Sequence, residues 1–127
     1  MKLWLHCRSV RNAVVVFCAG RITFGEEATL LGNQIAALLA KGKRVYLHLG
    51  GVEVLDAAGL GTLAEMAVIA PACGGEIKLC NLPKQIAALL HLSRLSEILD
   101  VYESEEEALA AWREDFPEIS FGIPAVV

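Results

Sequence analysis

The chain opens on alternation. In "KLWLHC", Leu3 and Leu5 fall on one side and Trp4 and His6 on the other, the two-residue period of a strand. "NAVVVFCAGRIT" follows with the β-branched run Val14 to Val16 and stops near Gly20, as a buried strand does. The two segments are joined near "RSVRN" and predict a hairpin. The period then lengthens: Leu31, Ile35, Leu38 and Leu39 share one face of a helix. Thr23 and Glu26 are spaced as a capping box at its start, and Lys41 with Gly42 marks its end. "RVYLHLGG" returns to alternation, with Val45, Leu47 and Leu49 against Tyr46 and His48.

A loop is expected at "VEVLDAAGLG", then a helix capped by Asp56 whose inner face is Leu60, Leu63, Ala64 and Ala67. Pro71 should loosen its last turn and "CGGE" should end it. "EIKLCN" predicts a strand with Ile77 and Leu79 on one face. Pro83 opens a helix carrying Ile86, Leu89 and Leu90. "ILDVYES" predicts a last short strand, and Ser104 with Glu107 a second capping box before a helix bearing Leu109 and Trp112.

The order is therefore ββαβαβαβα. Strands separated by helices pair in parallel, and the opening hairpin adds one antiparallel strand. The expected fold is α/β: a small mixed β-sheet, mostly parallel with an N-terminal hairpin, flanked by about four helices. Residues 1–113 form this domain. Residues 114–127 form an apolar C-terminal tail whose prolines and glycine break the helical pattern, expected to pack on the domain or on a neighbour.

Composition narrows the function. With 127 residues there is room for one domain, and 55% apolar content argues for a well-buried sheet. A net charge of −4, with no basic stripe, excludes a nucleic-acid grip. The run Ala13 to Gly20 is far too short to span a bilayer, and "MKLWLHCRSVRN" lacks the long apolar stretch of a signal peptide. A cytoplasmic protein with no direct membrane insertion is expected. Cys7, Cys18, Cys73 and Cys80 form no CxxC pair, so they read as small buried hydrophobes rather than zinc ligands or a redox motif. Bridges Cys7–Cys18 or Cys73–Cys80 are geometrically conceivable, but a cytosolic location argues against them. No metal and no cofactor is expected.

The strand-to-helix junction "LDAAGLG" carries the functional interest. A helix N-terminus offers amides and a partial positive charge, which would receive an anion or a polar group from a partner. Small residues at Ala57, Ala58, Gly59 and Gly61 would let another surface approach the backbone closely. A tight turn built only for internal packing has the same composition, so both readings stand at this point.

The segment "VYLHLGGVEVLDAAGLGTLAEMAVIAPACGGEIKLCNLPKQIAALLHLSRLSEIL" resembles the STAS domain family, the anti-sigma factor antagonists of bacteria. The similarity runs over about residues 10 to 113. Its most specific part is an Asp followed by two small residues and Gly-Leu-Gly, here Asp56 to Gly61, and "GRIT" before the first helix also matches. The resemblance implies the mixed sheet just described and a partner-switching role. In that family an unmodified antagonist binds a kinase-type anti-sigma factor and frees the sigma factor. The partner then phosphorylates a serine directly after the motif's Asp, and the added charge and bulk break the contact.

This chain departs at that point. Ala57 stands at the family's phosphorylation position, and Ala58 follows it. His48 stands where the family often has an acidic residue, and Gly50 where it often has a serine. Thr62 is the nearest hydroxyl, but it reads as a helix residue bonding back to a carbonyl. The partner-binding candidates are Asp56, Ala57, Ala58, Gly59, Leu60, Gly61, Thr62 and His48, with the helix from Leu60 to Ala70 behind them.

The first functional reading is a non-enzymatic regulatory module of the anti-sigma factor antagonist type, without the switch serine. The alternative is a STAS accessory subunit of a lipid or small-molecule ABC transporter, or a ligand-sensing domain, with a transporter ATPase as partner. Catalysis is the weakest reading, because His6, His48 and His91 are scattered and no nucleophile or base accompanies them. The apolar tail is compatible with a homodimer.

Overall fold

The computed structural model describes residues 2–11 and 13–115, and side chains as far as Ala111. The Trp112 side chain and the tail beyond Asp115 lie outside the described residues. The elements are β1 (Leu3–Val10), β2 (Ala13–Ile22), α1 (Glu26–Ala40), β3 (Arg44–Leu55), α2 (Ala57–Ala72), β4 (Glu76–Cys80), α3 (Lys84–Leu92), a single 3-10 turn (Leu95–Glu97), β5 (Asp100–Tyr102) and α4 (Glu105–Asp115). The sheet has the order β1-β2-β3-β4-β5. Only β1–β2 is antiparallel; the other three pairs are parallel. The expected α/β architecture is the observed one.

The two faces of the sheet are covered unequally. Alternate residues of the strands, among them Val14, Val16, Cys18, Val45, Leu47, Leu49, Ile77 and Leu79, pack against α1, α2 and α3 through Leu31, Ile35, Leu63, Met66, Ile86 and Leu90. On the outer face Ala13, Val15, Tyr46 and Cys80 are covered by Ala108 of α4, with Leu109 beside it. Ser104 caps α4 as expected: its hydroxyl accepts the Glu107 N–H at 3.1 Å.

Several local expectations are corrected. The hairpin is tighter than "RSVRN" suggested, because pairing continues to Val10–Ala13, and Arg11 in the turn takes φ 59°. Thr23 and Glu26 do not form a capping box. Gly25 is the N-cap of α1, at φ 103° and without a side-chain cap, and it is the Thr23 carbonyl that accepts the Ala28 N–H at 3.0 Å. Gly42 does end α1, its N–H donating to the Leu39 carbonyl at 2.8 Å. The buried line of α2 is Gly59, Leu63, Met66 and Ala70; Leu60, Ala64 and Ala67 are half-buried at its margin. Helix α2 runs through Pro71 to Ala72, since a proline in a final turn removes one hydrogen bond without blocking the helix behind it.

The largest correction concerns β3. "VEVL" is no loop: the strand continues through Gly50 and Gly51 to Leu55. The two glycines mark close approaches instead of an end. A Cβ on Gly51 would lie 2.8 Å from the Ala19 Cβ, at an irregularity in the β2–β3 register, and one on Gly50 would lie 2.6 Å from the His48 ring.

All four cysteines are free thiols, but only two are buried. Burial pushes the Cys18 and Cys80 thiols up to about 12, so they are inert small hydrophobes. Cys7, near the outer edge of the sheet on β1, and Cys73, at the end of α2, are exposed. The expectation of buried cysteines fails for these two because one occupies an edge strand and the other a helix terminus.

Candidate functional site

A single residue separates β3 from α2. Asp56 holds extended backbone angles, φ −101° and ψ −174°, and turns the chain from strand into helix. Its carboxylate is divided between two elements. Oδ1 accepts the Gly59 N–H at 2.9 Å and so caps α2, while Oδ2 accepts the Phe24 N–H at 2.9 Å from the β2–α1 connection. The Asp56 N–H reaches back to the Ile22 carbonyl at 3.3 Å. The Gly59 N–H first, and then the Phe24 N–H, hold the Asp56 carboxyl below its ordinary range. The helix end is thus already matched by a carboxylate, so it suits neutral surface contact better than the capture of an incoming anion.

The small residues of this junction divide by direction. Ala57 and Gly61 are exposed, and Ala58 is half-buried. A Cβ on Gly61 would meet nothing within 4 Å. Gly59 faces inward: a Cβ there would lie 2.4 Å from the Ile22 carbonyl oxygen and 2.6 Å from Leu55 Cδ1. Its smallness serves internal packing, not the approach of a partner. Leu60 is half-buried against the core. The Thr62 hydroxyl donates to the Ala58 carbonyl at 3.1 Å, the back-bonding expected of it.

His48 lies apart from this group. It belongs to the outer row of β3, beside Phe17, whose ring centroid is 5.0 Å from its own. Its Nδ1 accepts the Gly50 N–H at 3.1 Å. Seven residues separate it from Leu55, about 23 Å along an extended strand. The fold therefore gathers Asp56 to Thr62 and leaves His48 on a different surface. His6 and His91 are exposed on β1 and α3.

The sequence reading overlooked Phe24. It is 84% exposed, beside the Asp56 junction, and its backbone is fixed by the Asp56 carboxylate. From Phe24 an open groove of about 520 Å³ runs between α1 and α2, past Ala28, Gly32, Ala58, Thr62 and Met66. The two helices meet here at Gly32 and Thr62: a Cβ on Gly32 would lie in ordinary contact, 3.4 Å, with Thr62 Cγ2. The signal was present as the small residues Ala28, Gly32 and Ala36, four apart on α1. Among the described residues, no group of three or more His, Cys, Asp or Glu is placed to hold a metal ion, and no helix is long and apolar enough to cross a membrane.

Strand β3 runs without a loop into a helix capped by Asp56, with two small residues and Gly-Leu-Gly after it. The STAS domain matches residues 7–108, and the chain belongs to the STAS domain family. BtrV of Bordetella bronchiseptica, which carries a provisional designation as an anti-sigma factor antagonist, is 28% identical over 107 residues, spanning 84% of this chain and 92% of that one. Among solved structures, an anti-sigma factor antagonist from Mycobacterium paratuberculosis superimposes with a TM-score of 0.79 at 23% identity, over 87% of this chain and 94% of that one. The unphosphorylated form of the anti-sigma factor antagonist SpoIIAA gives a TM-score of 0.72 at 18% identity, over 87% and 97%.

Proposed function

We propose that this protein is a non-enzymatic binding module of the anti-sigma factor antagonist type, whose partner is a kinase-type anti-sigma factor. The partner lands on Ala57, Ala58, Gly61 and Phe24. One observation carries this reading: Asp56 caps α2 beside the exposed Ala57 and also holds the Phe24 backbone, so an 84% exposed phenyl ring and a flat helix end lie side by side.

Phosphorylation does not toggle this contact at the family position, because Ala57 has no hydroxyl. The Thr62 hydroxyl, spent on the Ala58 carbonyl, does not replace it. Binding is governed by partner abundance, or by the nucleotide state of the partner.

The test is a pull-down from the native host, with and without nucleotide, followed by titration of the retained protein against the chain and its Ala57→Glu variant. Retention of a kinase-type ATPase, with binding weakened by more than tenfold in the variant, is the expected result. Retention of a transporter ATPase would replace the partner class, and a glutamate at position 57 that left affinity intact would remove the surface.

A further inference from the structure

Both walls of the groove between α1 and α2 are helices. It begins at Phe24 and passes Ala28, Gly32, Ala58, Thr62 and Met66, with a volume of about 520 Å³. The backbone N–H and C=O groups of such walls are spent within the helices themselves. An extended segment laid there would find no ladder partners for its own amides and would lose their water. A helix arrives with its backbone bonds already made, so the groove suits a helix. Residues of α1 from Ala28 to Ala36 line it, about 12 Å of wall, enough for two turns of an occupant.

The charges at its rim have one sign. Helices α1 and α2 contain Glu26, Glu27 and Glu65 and no lysine, arginine or histidine. Glu65 is the only charged residue of α2, and it lines the groove. It is exposed and forms no ion pair with another described residue. On the opposite wall Glu26, also exposed, lies one turn before Thr29, which lines the groove. Glu27 is already engaged, accepting the Lys2 N–H at 3.2 Å. An apolar floor with a carboxylate on each side repels acidic peptides and anionic lipid and draws cations. We propose that the groove receives a basic amphipathic helix of the protein partner, its apolar face on Ala28, Gly32, Ala58 and Met66 and a lysine or arginine on each flank facing Glu65 and Glu26. The proposal rests on the reading of this protein as a partner-binding module and adds the chemistry of the segment that docks. Phe24 and Ala58 belong to both surfaces, so the groove continues the one at Ala57 and Gly61.

The test selects a helix without the native partner. A phage-displayed library of single helices, with a fixed leucine seam and randomised flanking positions, is panned on the full-length chain. The expected result is about tenfold enrichment of Lys and Arg over Asp and Glu at the flanks. The selected helix should bind about tenfold more weakly to Gly32→Leu, which fills the groove, and to Glu65→Lys, which reverses its charge. Both variants are verified as folded by far-ultraviolet circular dichroism. Glu65 is exposed, so its variant decides the matter if Gly32→Leu does not fold. An empty selection, flanks without a charge preference, or a selected helix that either folded variant binds as tightly as the parent overturns the proposal. A doubled mass in sedimentation that Gly32→Leu returns to the single chain overturns it in favour of a second copy. In the partner titration, weakening by Ala57→Glu with no effect of Glu65→Lys would overturn the groove and leave the partner-binding reading standing. A pull-down that retained no partner would remove that reading, and the selection alone would then decide whether the groove takes a basic helix.

Discussion

The Phe24 N–H donates to Asp56 Oδ2 at 2.9 Å, across 32 residues of sequence, while the other oxygen of the same carboxylate caps α2 at Gly59. One side chain therefore fixes both the helix start and the loop that carries Phe24, whose ring is the most exposed aromatic among the described residues. Removing it acts on stability and on the shape of the surface together. Asp56→Ala is expected to lower the urea midpoint of unfolding, and the difference from the parent depends on pH. The folded-state pKa is depressed, so the stabilisation is complete above the ordinary carboxylate range, about 4, and is lost as pH falls through the folded value. Paired unfolding curves at pH 7 and pH 3 check this: the gap should be full at neutral pH and shrink in acid.

Gly59 and Gly61 are two residues apart and predict opposite outcomes. An alanine at 59 would press its Cβ into the Ile22 carbonyl and Leu55, so Gly59→Ala should destabilise by about 1–3 kcal/mol, the cost of overpacking. Gly61 is exposed within a helix and has open space around it, so Gly61→Ala should stabilise by about 0.5–1 kcal/mol. Thermal unfolding of the two variants separates them. If Gly61 belongs to the docking surface, the stabilised variant should also bind its partner more weakly.

These two glycines show what was legible in the sequence and what was not. The periods of Val45, Leu47 and Leu49, and of Leu31, Ile35 and Leu39, report which side of an element is dry, and that was enough for the element order and the mixed sheet. A glycine reports only that a side chain is missing. Gly50 and Gly51 read as a strand end, although they sit inside β3 where His48 and Ala19 crowd the backbone. Within Gly-Leu-Gly, nothing local distinguishes the inward Gly59 from the outward Gly61. The Phe24–Asp56 bond joins distant segments, and without it Thr23 and Glu26 looked like the natural cap for α1. Asp56 itself was legible as a cap, because its spacing to Gly59 is local.

A buried ammonium offers a test away from the site. Lys78 is 1% exposed on the outer side of β4, with Glu76 at 3.2 Å, Asp100 at 3.3 Å and the Tyr102 hydroxyl at 3.4 Å. Burial acts against its charge, but Glu76, the Tyr102 hydroxyl and Asp100 outweigh it and hold the pKa above the ordinary lysine value. Its contribution is present below about pH 10 and lost as pH rises through the folded value. Glu76→Gln combined with Asp100→Asn should cost about 1–3 kcal/mol at pH 7, because the carboxylates are removed from a charge that stays inside. Lys78→Met should cost less, since both carboxylates are partly exposed and water can take the place of the ammonium. Urea titrations of the two proteins at pH 7 give the order directly.

On the proposed reading, one substitution should supply a phosphorylation switch. Ala57 is exposed, follows Asp56 directly and opens α2, so a serine there would place its hydroxyl at the surface within reach of a docked kinase. The backbone needs no change, and at the first position of a helix a serine costs little. Ala57→Ser should therefore bind the kinase-type partner with nearly unchanged affinity in the absence of ATP. With ATP and magnesium it should gain one phosphate, read by intact mass. The phosphoryl group would sit next to the Asp56 carboxylate, adding up to about two negative charges beside one already present, and the complex should dissociate. The parent chain in the same mixture should stay unmodified and bound. If the serine variant bound normally but was never phosphorylated, the partner would not present a kinase site to position 57, and the resemblance in fold would not extend to the geometry of the complex.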